Sequence, residues 1–244
     1  MTGIVAVDQA LGGSLEPGFH LISGGPATGK TALVNQICAT CGCPALVVSC
    51  EMTALELFRR HVARTIGTPL AQLRSGELEP EHAQDLALAT AEALPDLAIA
   101  DASQGDTISP ERIVELAEGI RGNRPHVLVG LDSLHAWVDS VFSYLGEYDG
   151  VNQGVERLRQ IATKLRDPLL CVVERNRLSM ERGGLNAASG SHKLEYRGTT
   201  VWSLDREGDE RPNAQGEFDM VLRCDKNRNG HAGIRVALKF NGAL

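Results

Sequence analysis

The octapeptide Gly24-Gly25-Pro26-Ala27-Thr28-Gly29-Lys30-Thr31 constrains this chain more than any other stretch. It fits the pattern G-x-x-x-x-G-K-[S/T] at every fixed position. It directly follows the apolar run 19–23, and residues 29–39 then place Ala32, Leu33, Gln36 and Ile37 at helical spacing. A strand that breaks into a glycine turn and opens a helix is the context this pattern requires. The glycines let backbone N–H groups turn inward around a β-phosphate, and the helix N-terminus adds its partial positive charge. Lys30 is then placed to reach the β- and γ-phosphates, and the Thr31 hydroxyl to ligate Mg²⁺. The expected ligand is a nucleoside triphosphate with its magnesium ion.

The rest of the chain alternates. Further buried strands are expected at 45–49, 97–100, 127–131 and 169–173. Between them lie helical patterns. One opens with the capping box Thr53-Ala54-Leu55-Glu56 and runs to about Ile66, with Leu55, Phe58, Val62 and Ile66 expected on its apolar face. Others span Pro80 to Leu94, a segment opened by Ser109-Pro110-Glu111, and 151–166. Strands alternating with helices imply crossover units and a mostly parallel sheet. Three later strand-like segments, 200–204, 220–224 and 234–240, with Asn229-Gly230 as a hairpin signal, add antiparallel strands at one edge. The fold class is α/β. No repeat or composition break divides the chain, so residues 1–244 are expected to form a single domain.

Charge removes one class of function. A net charge of −7 over 244 residues excludes a uniformly basic nucleic-acid coat protein, so any polyanion must meet a local patch. The six cysteines are too few for a disulfide scaffold, and several sit inside apolar runs such as Leu169 to Val173. Cys38-x-x-Cys41-x-Cys43 lacks a second Cys or His pair to complete a metal site, and is read as a reduced thiol cluster. The N-terminal stretch, with Asp8, Glu16 and Pro17, has no signal-peptide pattern, and no run is long enough to span a membrane. The expected location is the cytoplasm.

Two carboxylates join the phosphate loop. Asp132 ends the strand 127–131, and Glu51 follows the strand 45–49. Parallel strands put their C-terminal ends on one edge, so both acids and the loop should converge there. Asp132 would then serve Mg²⁺, against the plainer role of a turn residue or helix cap. Glu51 would orient a water for attack on the γ-phosphate, against the plainer role of an acid at a helix start.

At this point the chain resembles a known family. Gly12-Gly13-Ser14-Leu15-Glu16-Pro17-Gly18 is similar to the segment that leads into the phosphate loop of RecA/RadA/KaiC-type ATPases. From Ser49 onward the likeness narrows to the C-terminal, RecA-like motor domain of DnaB-type replicative helicases. It is carried by Ser49-Cys50-Glu51-Met52, Arg74-Ser75-Gly76-Glu77-Leu78, Leu131-Asp132-Ser133-Leu134, Arg175-Asn176-Arg177 and Lys226-Asn227-Arg228-Asn229-Gly230. The resemblance implies a hexameric ring of identical chains that hydrolyses ATP and moves on single-stranded DNA, with a primase or helicase loader as a further partner. It makes Glu51 the catalytic glutamate, and Lys226 and Arg228 fingers acting on the neighbouring subunit's nucleotide. In that fold the loops after the fourth and fifth strands line the ring's channel. Here the first, 139–154, is acidic, and the second carries Arg175, Arg177, Arg182, His192 and Lys193 among glycines and serines, a composition suited to backbone phosphates.

The chain also departs from the family. Glu174 stands where a γ-phosphate-sensing Gln is usual, and Glu195-Tyr196-Arg197-Gly198-Thr199 replaces an acidic E-Q-D-A-D stretch. The family's primase-docking N-terminal domain has no counterpart in these residues. Phosphate chemistry is untouched by these changes, whereas its coupling to DNA movement is where they fall. Two other readings therefore stay open: a RadA- or KaiC-like ATPase of recombination or regulation that does not unwind, and an ATP-switched oligomeric binding module with negligible turnover.

Overall fold

In the computed structural model, residues 1–174, 197–208 and 211–243 are described. Among them, eight strands form one sheet: β1 (Gly18–Gly24), β2 (Ala45–Ser49), β3 (Leu97–Asp101), β4 (Leu128–Asp132), β5 (Pro168–Glu174), β6 (Thr200–Arg206), β7 (Glu217–Asn227) and β8 (Arg235–Asn241). Their spatial order is β3-β2-β4-β5-β1-β6-β7-β8. In that order every neighbouring pair from β3 across to β6 is parallel, while β7 and β8 pair antiparallel beyond β6. The expected α/β architecture, with its antiparallel edge, is the one observed.

The described helices are α1 (Val5–Leu11), α2 (Lys30–Thr40), α3 (Ala54–Ile66), α4 (Leu70–Ser75), α5 (Pro80–Ala93), α6 (Pro110–Arg121), α7 (Leu134–Val141) and α8 (Glu147–Leu165). Alternate strand residues feed two cores. On one face Leu169, Cys171 and Val173 of β5 meet apolar residues of α6, α7 and α8. On the other, Leu170 and Val172 meet Leu33, Val34 and Ile37 of α2, with Trp202, Met220 and Leu222 continuing the layer. A strand covered on both faces favours apolar side chains at successive positions, which is why 169–173 of β5 reads as an unbroken run of Leu, Cys and Val.

Three local expectations are corrected. The capping box of α3 forms as expected, with the Thr53 hydroxyl accepting from Glu56 N–H and Glu56 accepting from Thr53 N–H. Its buried residues, however, are Leu57, His61, Val62 and Ala63, while Leu55 and Ile66 are exposed. The first turn is tied down by Ala54 N–H, which donates to the Asp101 carboxylate at the end of β3 (2.7 Å).

The acidic 139–154 loop is mostly helix. Helix α7 extends to Val141 and α8 begins at Glu147, four residues before the expected start, leaving only a short link. Gly150 and Gly154 suggest a break in the sequence, yet both pack against α7. A Cβ on Gly154 would come within 2.4 Å of a Val138 methyl, and one on Gly150 within 3.1 Å. These glycines admit a neighbouring helix rather than turn the chain.

The β7–β8 hairpin is present, but Asn229-Gly230 is not its tight turn. Pairing between these strands ends where Cys224 exchanges hydrogen bonds with Gly233 and Ile234 (2.7 and 2.8 Å). The left-handed residue there is Gly233 (φ +81°). Beyond Cys224, β7 stays paired with β6 out to Asn227 opposite Thr200, so the connection is broad.

Candidate nucleotide site

The loop between β1 and α2 is shaped by residues with special backbone needs. Ala27 (φ +56°) and Gly29 (φ +85°) both adopt left-handed conformations, and Gly29 caps α2. Gly24 is required for a different reason: a Cβ there would lie 2.6 Å from the Leu204 carbonyl oxygen and 2.8 Å from Thr28 Oγ1. The Thr28 hydroxyl donates to the Gly25 carbonyl (2.9 Å), and Lys30 Nζ donates to the same oxygen (2.7 Å). The Lys30 side chain is thereby folded into the loop and buried. Pro26 and Thr31 complete the octapeptide, Thr31 in the first turn of α2.

Asp132 lies at the end of β4, beside Ser49 of β2, and is 1% exposed. Burial pushes its carboxyl up to about 6; Glu51 and Glu174 push in the same direction, while a hydrogen bond with Thr31 and the Lys30 charge pull it back. Its Oδ2 is buried without a hydrogen-bond partner among the described residues. An orphaned carboxylate oxygen next to a threonine hydroxyl and a lysine suits a divalent cation whose remaining ligands are phosphate and water. Among the described residues no three His, Cys, Asp or Glu side chains cluster as a protein-only metal cage, so such a cation would depend on the nucleotide.

Glu51 is held next to this acid by two contacts. Cys50 N–H donates to the Asp132 carbonyl (2.7 Å), and the Ser133 hydroxyl donates to Glu51 Oε1. The Ser49 side chain closes the turn through Met52. The loop, Asp132 and Glu51 therefore converge on one sheet edge, as their positions at strand ends implied. Glu174 joins them, because β5 ends beside Gly24.

Two features of the site are not legible in motif spacing. Ser133 is the residue that fixes Glu51. Phe240 of β8 packs on the loop, its ring 3.3 Å from where a Gly29 Cβ would sit. A groove of about 90 Å³ continues from the loop between Ala32, Leu33 and Gln36 of α2 and Leu238 and Phe240 of β8. An aromatic residue 210 positions after the loop carries no local signal; only the strand order brings it there.

Lys226 and Arg228 do not join this edge. Lys226 pairs with Val201, which lies level with Leu21 of β1, and its Nζ donates to the Gly198 carbonyl (2.9 Å). Arg228 N–H donates to the Thr199 carbonyl, level with Phe19. Arg228 is thus about 16 Å down the strand direction from Gly24 and two strands, about 10 Å, to the side. Arg175, Arg177, Arg182, His192 and Lys193 lie outside the described residues, as do Glu195 and Tyr196. Arg197, which is described, donates to the Asn152 carbonyl of α8 (3.1 Å). Among the described residues no helix is long and apolar enough to cross a membrane.

The fold has solved counterparts. A DnaB-like replicative helicase, solved to show its interactions with primase, superposes with a TM-score of 0.79 at 18% identity, over 100% of this chain and 61% of that one. The chain therefore spans less than two thirds of that helicase. A second solved structure, an ATPase domain, gives 0.75 at 17% identity, over 99% of this chain and 87% of that one. The RadB recombinase gives 0.61 at 22% identity, over 97% of this chain and 94% of that one. At these identities the likeness shows a RecA-like fold. No curated protein sequence matches the chain. The model of the DnaB-like helicase C-terminal domain matches residues 1–244, and the chain belongs to that family.

Proposed function

We propose that residues 1–244 form one motor domain that hydrolyses ATP in a ring of identical subunits and moves along single-stranded DNA. The observation that carries this reading is Asp132, a buried carboxylate with an orphaned oxygen beside Thr31 and Lys30 at the edge where the phosphate loop opens. Gly24 to Thr31 would wrap the triphosphate with backbone N–H groups, and Lys30 would leave the Gly25 carbonyl for the β- and γ-phosphates. Thr31 and Asp132 would hold Mg²⁺, whose charge draws electron density from the phosphoryl oxygens. The groove beside Phe240 would seat the base, an aromatic face suiting a purine.

Glu51, aimed by Ser133, would orient the attacking water and take its proton. Lys30 would meet part of the charge that develops on the γ-phosphate. Lys226 and Arg228 of the adjacent subunit would supply the rest, which accords with their distance from their own loop. The basic residues Arg175, Arg177, Arg182 and Lys193 would contact DNA phosphates. A primase or a helicase loader is the further partner this reading implies.

A second reading, a recombination or regulatory ATPase without unwinding, is favoured by one observation: Glu174 puts a negative charge beside Gly24, where a neutral γ-phosphate sensor would couple hydrolysis to DNA. ATP turnover measured with and without single-stranded DNA, beside displacement of a strand from a forked duplex, separates the cases. Strong stimulation with displacement supports the motor. Turnover without displacement supports the second reading, and no turnover at all would refute both.

A further inference from the structure

The end of α2 brings together two thiols that the nucleotide site does not use. Cys41 follows the last helical residue and is still helical in backbone (φ −66°), while Gly42 adopts φ +74°, a left-handed conformation that reverses the chain. Cys43 is thereby folded back over Cys41, with the two Sγ atoms 3.7 Å apart and the Cys43 S–H donating to Cys41. A Cβ on Gly42 would meet nothing within 4 Å, so the turn is open on its outer side. Cys41 is buried, its thiol also donating to the Cys38 and Cys43 carbonyls (3.4 and 3.2 Å), Cys43 is half-buried, and neither is in a disulfide. We propose that Cys41 and Cys43 form a reactive dithiol that a hydroperoxide oxidises to a disulfide and a small dithiol reduces again. This site is independent of the motor reading.

The chemistry balances with the peroxide as oxidant. The Cys41 thiolate attacks the terminal peroxide oxygen. The O–O bond breaks, an alkoxide or hydroxide leaves and takes up a proton, and Cys41 becomes a sulfenic acid. The Cys43 sulfur then attacks the Cys41 sulfur. An S–S bond forms, the S–O bond breaks, and the hydroxyl leaves as water with the Cys43 proton. A disulfide closed across a single residue is strained, and strained disulfides are readily reduced by thiol exchange.

The surroundings favour this pair over the other thiols. The hydrogen bond from Cys43 holds the Cys41 thiol down to about 7, and the same bond pushes Cys43 up. Burial pushes Cys38 and Cys171 well up, Cys50 to about 12 and Cys224 to about 11. Cys38, the other possible partner, is turned the opposite way, into the space above Gly130. Reactivity of a cysteine follows its thiolate fraction and its access; Cys41 supplies the first and the half-buried Cys43 beside it the opening to solvent.

The test uses the whole chain treated with hydrogen peroxide and then denatured. Thiols titrated should fall from six to four, and the tryptic segment 31–59, which carries Cys38, Cys41, Cys43 and Cys50, should be lighter by two hydrogens. Dithiothreitol should restore both values. Cys38→Ser should behave as wild type. Cys43→Ser should stop at a sulfenic acid on Cys41 that dimedone traps, and Cys41→Ser should form no disulfide. Since a variant can fail to fold, the unmodified protein is also alkylated with iodoacetamide near pH 7, where Cys41 should react at least tenfold faster than Cys50. Equal alkylation rates, a disulfide that persists in Cys41→Ser, or a full thiol count after peroxide would each overturn the assignment.

Discussion

Asp132 shows how a binding site is built at a cost to the folded state. Its carboxyl stands near 6 in the folded chain against an ordinary 3.8, so the native state holds the proton more tightly than the unfolded state does. Stability contributed by that proton is complete below about 4 and is lost as pH rises through about 6. The loss is on the order of 3 kcal/mol at pH 8. His20 and His61, both held near 4 by burial, act with the opposite sign, losing stability as pH falls from 6.5. The difference between wild type and Asp132→Asn isolates the aspartate. In urea unfolding without nucleotide, the variant should match wild type near pH 4 and exceed it by a few kcal/mol at pH 8, while binding ATP–Mg²⁺ more weakly. A variant no more stable than wild type at pH 8 would show that the burial cost is small. Glu51 should separate binding from chemistry in the other direction. Glu51→Gln keeps the contact geometry with Ser133 but cannot take a proton, so turnover should fall about 10²-fold or more with ATP affinity retained. Reduced affinity at an unchanged rate constant would make Glu51 a structural residue.

At the scale of elements, the phosphate loop and the inner strands were legible because each is written in contiguous residues. The octapeptide carries its own backbone demands, and a strand covered on both faces is apolar along its length, as 45–48 and 169–173 are. What failed were inferences about which way an element faces. The first turn of α3 is anchored by Asp101, 47 residues away from the N–H it accepts, and the helix buries Leu57 and His61 rather than Leu55 and Ile66. The early start of α8 was not legible in 147–150, where Gly150 is a poor helix former, and its contact with Val138 shows its use. Gly130 in β4 plays the same part beneath α2. A Cβ there would lie 2.7 Å from Cys38 Sγ and 2.9 Å from a Val34 methyl. Since α2 carries Lys30 and Thr31 at its other end, this contact ties the sheet to the phosphate loop. Gly130→Ala should cost about 1–3 kcal/mol by overpacking, read by urea unfolding. Adding Cys38→Ala removes the nearer obstacle and should recover part of that loss. A neutral Gly130→Ala would show that α2 shifts freely over β4.

At the scale of the whole molecule, the sheet puts the phosphate loop and Arg228 at opposite ends of its strands. Gly24 and Asp132 stand at the C-terminal ends of parallel strands, whereas Arg228 is level with Phe19 near the start of β1. The antiparallel direction of β7 is the cause: a strand that begins near the loop edge must end at the opposite one. On the proposed reading, an arginine at that end would serve a neighbour's nucleotide rather than its own, so the active unit would be an interface. Turnover per subunit should then rise with protein concentration until assembly saturates. Lys30→Ala should abolish ATP binding or hydrolysis, and Arg228→Ala should lower the rate while sparing ATP binding. Mixing the two variants gives the decisive measurement. A Lys30→Ala subunit still carries an intact Arg228, and an Arg228→Ala subunit an intact loop, so mixed rings contain interfaces with both parts. If ring neighbours assort at random in an equal mixture, about a quarter of interfaces are complete, and activity should return to about that fraction if interfaces act independently, less if they fire in sequence. Activity no higher than in either parent, in a mixture whose subunits demonstrably exchange, would overturn the assignment of Arg228 to a neighbour's nucleotide.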